Sequence, residues 1–236
     1  MQIRGERTCT ECGTTWSYFE TGSVACPQCG SVLSTGRGNR TQHTDRAADL
    51  DLGEARARAA EESLEEALSS AAQACLSYVR QKGFVDEGSL RELDDDYVYA
   101  QELRHTAVLA RSFLELDSSE EAYLLGMLHG PPDDRPGPAE APERLRPGRA
   151  LGVASAVRDY RDDVRAWLEG RTADADGRKR LETLSEHRKR VHALDGEVPP
   201  STAEDLLNAA RAVGRYYRNG DDASLDEADR ALERLR

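Results

Sequence analysis

The feature that most constrains this chain is a pair of cysteine knuckles near its start, CTECG at Cys9–Gly13 and CPQCG at Cys26–Gly30, with thirteen residues between Cys12 and Cys26. Two residues between cysteines let both sulfurs of a tight turn face one tetrahedral ion, and a glycine just after each pair lets backbone amides fold back toward the sulfurs. Two such knuckles make a four-cysteine site, with Cys9, Cys12, Cys26 and Cys29 as metal ligands. A segment of some 35 residues buries too little apolar surface to offset its chain entropy, so the metal must supply much of its folding free energy.

The rest of the chain has a different character. It contains only two Phe and one Met but is rich in Ala and Leu, so its core must be built from good helix formers. Apolar residues recur at helical spacing in Leu64, Leu68, Ala71, Cys75 and Val79, a stripe that ends at Gly83. Capping boxes at Ser89–Glu92, Ser118–Glu121, Ser201–Glu204 and Ser224–Glu227 mark further helix starts. One runs from Leu93 through Tyr97 and Ala107 to Leu114. Val153, Val157, Tyr160, Val164 and Trp167 form another face, Leu181, Leu184, Val191 and Leu194 a third, and Leu206, Ala210, Val213 and Tyr217 a fourth. The expected fold is a small β zinc ribbon followed by an all-α body of antiparallel helical hairpins.

The expected organisation is a ribbon over 1–35, a polar, glycine-broken linker over 36–46 and a first helical half over 47–130. A proline-rich linker or loop over 131–149 then leads to a second helical half over 150–236. Residues 1–46 carry five Arg against four acids, so the formal charge of −12 belongs to the body. All but three of the 32 basic residues are arginine, the lysines being Lys82, Lys179 and Lys189. An acidic, lysine-poor surface is the composition expected of adaptation to molar salt, where the Debye length shrinks to about 3 Å. In that setting net charge carries little information about partners.

The two knuckles resemble zinc ribbons of the rubredoxin-like and transcription-factor-B type. The order of ribbon and helices resembles zinc-ribbon proteins of halophilic archaea. The resemblance covers about 25 residues around Cys9–Gly13 and Cys26–Gly30, and it implies a fold and a bound Zn²⁺, with Fe as the alternative cofactor. Ribbons of this kind serve transcription, translation, RNA processing and scaffolding alike, so no activity follows.

Trp16, Tyr18 and Phe19 lie between the knuckles. On a strand Trp16 and Tyr18 would share a face, and with Arg37 and Arg40 they form a candidate nucleic-acid or protein interaction surface. The competing expectation is that these rings cover the metal site and pack on the helices.

Other constellations are thinner. Glu102 and His105 form a single Glu-x-x-His pair, where a di-iron bundle needs two, and read as a solvated helix pair. Glu61, Glu62 and Glu65 followed by Glu92 and Asp95 resemble the Mg²⁺ site of all-α nucleoside triphosphate pyrophosphatases, but no basic phosphate clamp accompanies them. Cys75 lies on an apolar stripe and reads as a buried thiol. Phosphate loops, nucleophile elbows and HExxH helices are absent. The sequence therefore reads as a non-enzymatic zinc protein of the cytoplasm. Its expected partner is a protein or ribonucleoprotein, with nucleic acid as the alternative and no membrane or small-molecule substrate.

Overall fold

The computed structural model describes residues 2–46, 48–131, 136–137, 139–171 and 175–235. A small N-terminal sheet precedes a helical body. The sheet has β1 (Gln2–Cys9) at its centre, with β2 (Thr15–Ser17) and β3 (Ser34–Gln42) antiparallel on either side. A single helical turn, α1 (Tyr18–Thr21), follows β2 and is capped by the Ser17 hydroxyl, which accepts from the Glu20 amide.

The strand β3 corrects one expectation. Residues 36–42 are not linker but the longest strand of the sheet, because backbone pairing with β1 absorbs their polar side chains. The remainder of that segment is a seam. Thr44 and Asp45 both donate backbone amides to the carbonyl of Val85, at 2.8 and 3.1 Å. Gly88 donates in turn to the carbonyl of Gln42 at 2.8 Å. The ribbon is thereby stitched to a two-stranded hairpin, β4 (Val85–Asp86) and β5 (Ser89–Leu90).

The body comprises α2 (Gly53–Glu61), α3 (Leu64–Gln81), α4 (Asp95–Ala110), α5 (Ser118–His129), α6 (Arg146–Trp167), α7 (Ala175–Ala193), α8 (Pro200–Asn219) and α9 (Asp222–Arg234). The closest element pairs include α2 with α3, α6 with α7, and α8 with α9. Leu68, Ala71 and Cys75 of α3 are buried, as are Val153, Val157, Tyr160 and Val164 of α6 and Leu206, Ala210 and Val213 of α8. The body is one core rather than two halves: residues from Leu52 to Leu235 belong to a single apolar cluster, and α4 packs along α6 across the proline-rich segment. That segment is shorter than 131–149. Its residues 132–135 and 138 lie outside the described ones, a 3₁₀ turn forms at Glu143–Leu145, and α6 already begins at Arg146 with Pro147 in its first turn.

Each capping box is displaced by what its residues meet in the folded chain. Ser89 belongs to the β4–β5 hairpin, whose turn residues Glu87 and Gly88 have φ of 50° and 81°, and Asp94 caps α4 instead. On α5 the box is Asp117 with Glu120, one residue earlier than expected, which buries Glu120 where Arg144 reaches it at 3.1 Å. Glu204 is drawn to Arg149 at 2.7 Å, so α8 starts at Pro200 with no side-chain cap. Asp221 caps α9. α4 stops at Ala110, short of the expected end at Leu114, which is fully exposed in the following loop.

Two glycines set a close backbone contact between helices. A Cβ on Gly152 would lie 2.5 Å from the Cα of Glu102, and one on Gly148 would lie 2.8 Å from the Cα of Thr106. α6 and α4 therefore touch backbone to backbone.

Candidate metal centre

The two knuckles are built alike. Gly13 donates to the carbonyl of Cys9 at 3.1 Å and Gly30 to that of Cys26 at 2.9 Å. Both glycines sit in the left-handed region, at φ of 75° and 74°, where a Cβ would be strained. The amides of Cys9 and Cys26 bond to the carbonyls of Thr14 and Ser31, at 2.9 and 2.8 Å, closing each turn.

These turns bring the four sulfurs together. All lie within 4.8 Å of one another, with Cys9 to Cys29 at 3.6 Å and Cys12 to Cys26 at 3.5 Å. A disulfide would need about 2.05 Å, and none of the cysteines is in one. A tetrahedral Zn²⁺ with bonds near 2.3 Å would set its ligand sulfurs about 3.8 Å apart. The four-thiolate donor set fits such an ion. It is the only group of three or more His, Cys, Asp or Glu side chains among the described residues that converges in this way.

Cys9 and Cys26 are buried, whereas Cys12 and Cys29 face solvent. The hydroxyl and then the amide of Thr14 hold the Cys12 thiol down at about 6. Burial pushes the Cys75 thiol, in the helical core, up to about 12 and keeps it inert.

Trp16 does not form the candidate exposed face with Tyr18 but follows the competing expectation and covers the sulfur site. It is 7% exposed, packs with Cys9 and Cys26, and donates its indole N–H to the carbonyl of Ser23 at 3.1 Å. The chain leaves β2 at Ser17, so Tyr18 opens α1 and is half-buried beside His43, at 6.5 Å between rings. Phe19 packs more closely on His43, at 4.6 Å. Arg37 and Arg40 are exposed on β3.

The carboxylate constellations dissolve. Glu61 ends α2, Glu62 is its C-cap, and Glu65 lies in the first turn of α3. Glu92 pairs with Arg218 at 3.6 Å and Asp95 with Arg211 at 2.7 Å. Glu102 and His105 are not a solvated pair. Glu102 is 1% exposed against Arg149 at 3.3 Å, and His105 lies within 3.0 Å of the Ser155 hydroxyl. Desolvation, reinforced by Arg104, holds the His105 imidazole down at about 4.

Sequence reasoning missed His43, Thr44 and Asp163, which join ribbon to body. Thr44 sits in a stretch whose polarity pointed to solvent, and Asp163 is one of several acids on α6 with nothing in its spacing to distinguish it.

Fold and sulfur cluster together define a class: a small β-module whose four cysteines could hold a metal ion, mounted on an all-helical body with no helix, among the described residues, long and apolar enough to cross a membrane. The chain belongs to the DUF7117 family, a family of unknown function, whose model matches residues 1–232. No curated protein and no solved structure matches it.

Proposed function

We propose that the chain is a zinc-binding, non-enzymatic protein in which the ribbon is a structural module. Ribbon and helical body together present surfaces to a protein or ribonucleoprotein partner. The convergence of four unbridged sulfurs at near-tetrahedral separations carries this reading. Val24, Val32 and Leu33 support the second half of it. They are 45%, 67% and 58% exposed on a module with little apolar surface of its own. Zinc suits four thiolates of which two are buried, and it brings no redox chemistry; the iron alternative uses the same ligands for electron transfer.

The test is elemental analysis of the purified full chain expressed with zinc and iron both supplied. One zinc per chain and a colourless solution are expected, with Cys26→Ser falling to near zero and Cys75→Ser unchanged. A red protein holding iron would replace the zinc reading with the electron-carrier one. Chains that bind neither metal would remove the premise altogether.

A further inference from the structure

Antiparallel pairing sets Arg4 of β1 directly opposite Arg40 of β3. Residues so placed are about 4.5 to 5.5 Å apart at Cα, and like charges there destabilise a sheet. The next pair inward, Glu6 opposite Arg37, shows what a complementary choice looks like at the same sheet. Arg4 donates only to the carbonyl of Gly36, at 3.2 Å, and neither Arg4 nor Arg40 has an ion pair among the described residues. A module this small has little stability to spend on an uncompensated repulsion.

A third guanidinium joins them. Arg7 is braced by Ser34, with Nε 3.0 Å from its Oγ and Nη2 3.2 Å from its carbonyl oxygen. Arg4, Arg7 and Arg40 border one shallow concavity of about 370 Å³, whose walls include the Tyr18 ring and Val24 and no carboxylate. In a chain with 44 acids against 32 basic residues, an acid-free lining with three arginines is a marked departure from the average surface.

We propose that this concavity binds single-stranded nucleic acid, with the guanidiniums of Arg4, Arg7 and Arg40 on backbone phosphates and the Tyr18 ring against a base. Three planar forks around one concavity suit a ligand that repeats a singly charged oxyanion along its length. An aromatic wall favours a strand whose bases are free to stack. No helix or long ribbon is presented by this face that would enter a duplex groove. The proposal rests on the ribbon being metal-loaded and acting as an interaction module, and it names the partner for that module.

The test uses the zinc-loaded full chain and fluorescence anisotropy with labelled ten-nucleotide oligo-U and oligo-dT, titrated from 50 to 400 mM KCl. Saturable binding of either or both is expected. Three phosphate contacts would give a slope of log K against log salt of about −2, and Arg40→Ala should bring it closer to zero by about 0.7. Arg4→Ala and Arg40→Ala should each weaken binding roughly tenfold, and Tyr18→Ala fivefold or more. Arg37→Ala, opposite Glu6, should change it less than about threefold. Zinc per chain, measured for every variant, should stay at the wild-type value; for any variant that loses metal, Arg40→Gln and Arg4→Gln at full zinc content take its place, and each should weaken binding to a similar extent.

Zinc-loaded chain that binds neither oligomer at 50 mM KCl would overturn the proposal while leaving the metal reading intact. Equal affinity for a ten-residue poly-glutamate peptide would also overturn it, by showing a surface for anions in general. A chain that takes up no metal would instead fail at the earlier step.

Discussion

The hydroxyl of Thr44 donates to Oδ2 of Asp163 at 2.6 Å, across 119 residues of chain, and the same carboxylate oxygen accepts the amide of Phe84 at 2.7 Å. The Thr44 oxygen also accepts from the Val85 amide at 3.0 Å. One side chain from the end of the ribbon and one from α6 thus satisfy the backbone entering the β4–β5 hairpin. Thr44→Val should cost about 1–3 kcal/mol and Asp163→Ala about 2–4 kcal/mol, since each leaves a part-buried polar group unmet. Because they share a network, the double variant should cost less than the sum. Strict additivity in guanidinium unfolding would show that the two act separately.

Gly152 and Gly126 make opposite predictions for the same substitution. At Gly152 a methyl group would sit 2.5 Å from the Glu102 backbone, so α6 must move off α4, at a cost of about 2–4 kcal/mol. Gly126 lies exposed in α5, where a Cβ meets nothing within 4 Å, and alanine there should stabilise by up to about 1 kcal/mol. Thermal midpoints of Gly152→Ala and Gly126→Ala should move to opposite sides of the wild type.

The buried Arg149 is 4% exposed and reaches Glu102 at 3.3 Å and Glu204 at 2.7 Å, while also donating to the carbonyl of Gly137 at 2.9 Å. It joins α4, α6, α8 and the loop before α6. Arg149→Met keeps the volume but removes the positive charge that the buried Glu102 and the part-buried Glu204 face, and should destabilise by about 3–5 kcal/mol. Pairing it with Glu102→Gln should recover part of that loss in urea titrations. If the double variant were as unstable as the single, the arginine would be acting through packing alone.

Burial holds the His105 imidazole neutral, down at about 4, against an ordinary value near 6.5. Between those values the unfolded chain binds the proton and the folded one does not, so stability is lost as pH falls from about 6.5 toward 4. The contribution is at most about 3.5 kcal/mol, from 1.36 kcal/mol per unit. His105→Gln should flatten the pH dependence of unfolding over this range relative to wild type. Parallel curves for the two proteins would mean that His105 titrates normally.

Much of this architecture was legible in the sequence because it rests on local rules. The spacing of Cys9, Cys12, Cys26 and Cys29 predicts a metal site from turn geometry alone, and the four sulfurs do converge. The apolar stripe through Leu68, Ala71 and Cys75 lies on the buried side of α3. What escaped was decided by contacts distant in sequence. Glu204 could cap its own helix or pair with Arg149, and only the packed body makes the second choice available. The polarity of residues 36–42 reads as linker until β1 is there to pair with them. Trp16, by contrast, follows the expectation that a ring covers the sulfur site, because a module with so few apolar side chains uses it inside, over Cys9 and Cys26.

The uneven exposure of the four sulfurs bears on how an ion would come and go. With Cys12 and Cys29 open to water and Cys9 and Cys26 enclosed, an incoming chelator or thiol can displace two ligands from outside while the inner pair still holds. Exchange by that route is associative: its rate should rise with competitor concentration and need not wait for the ribbon to unfold.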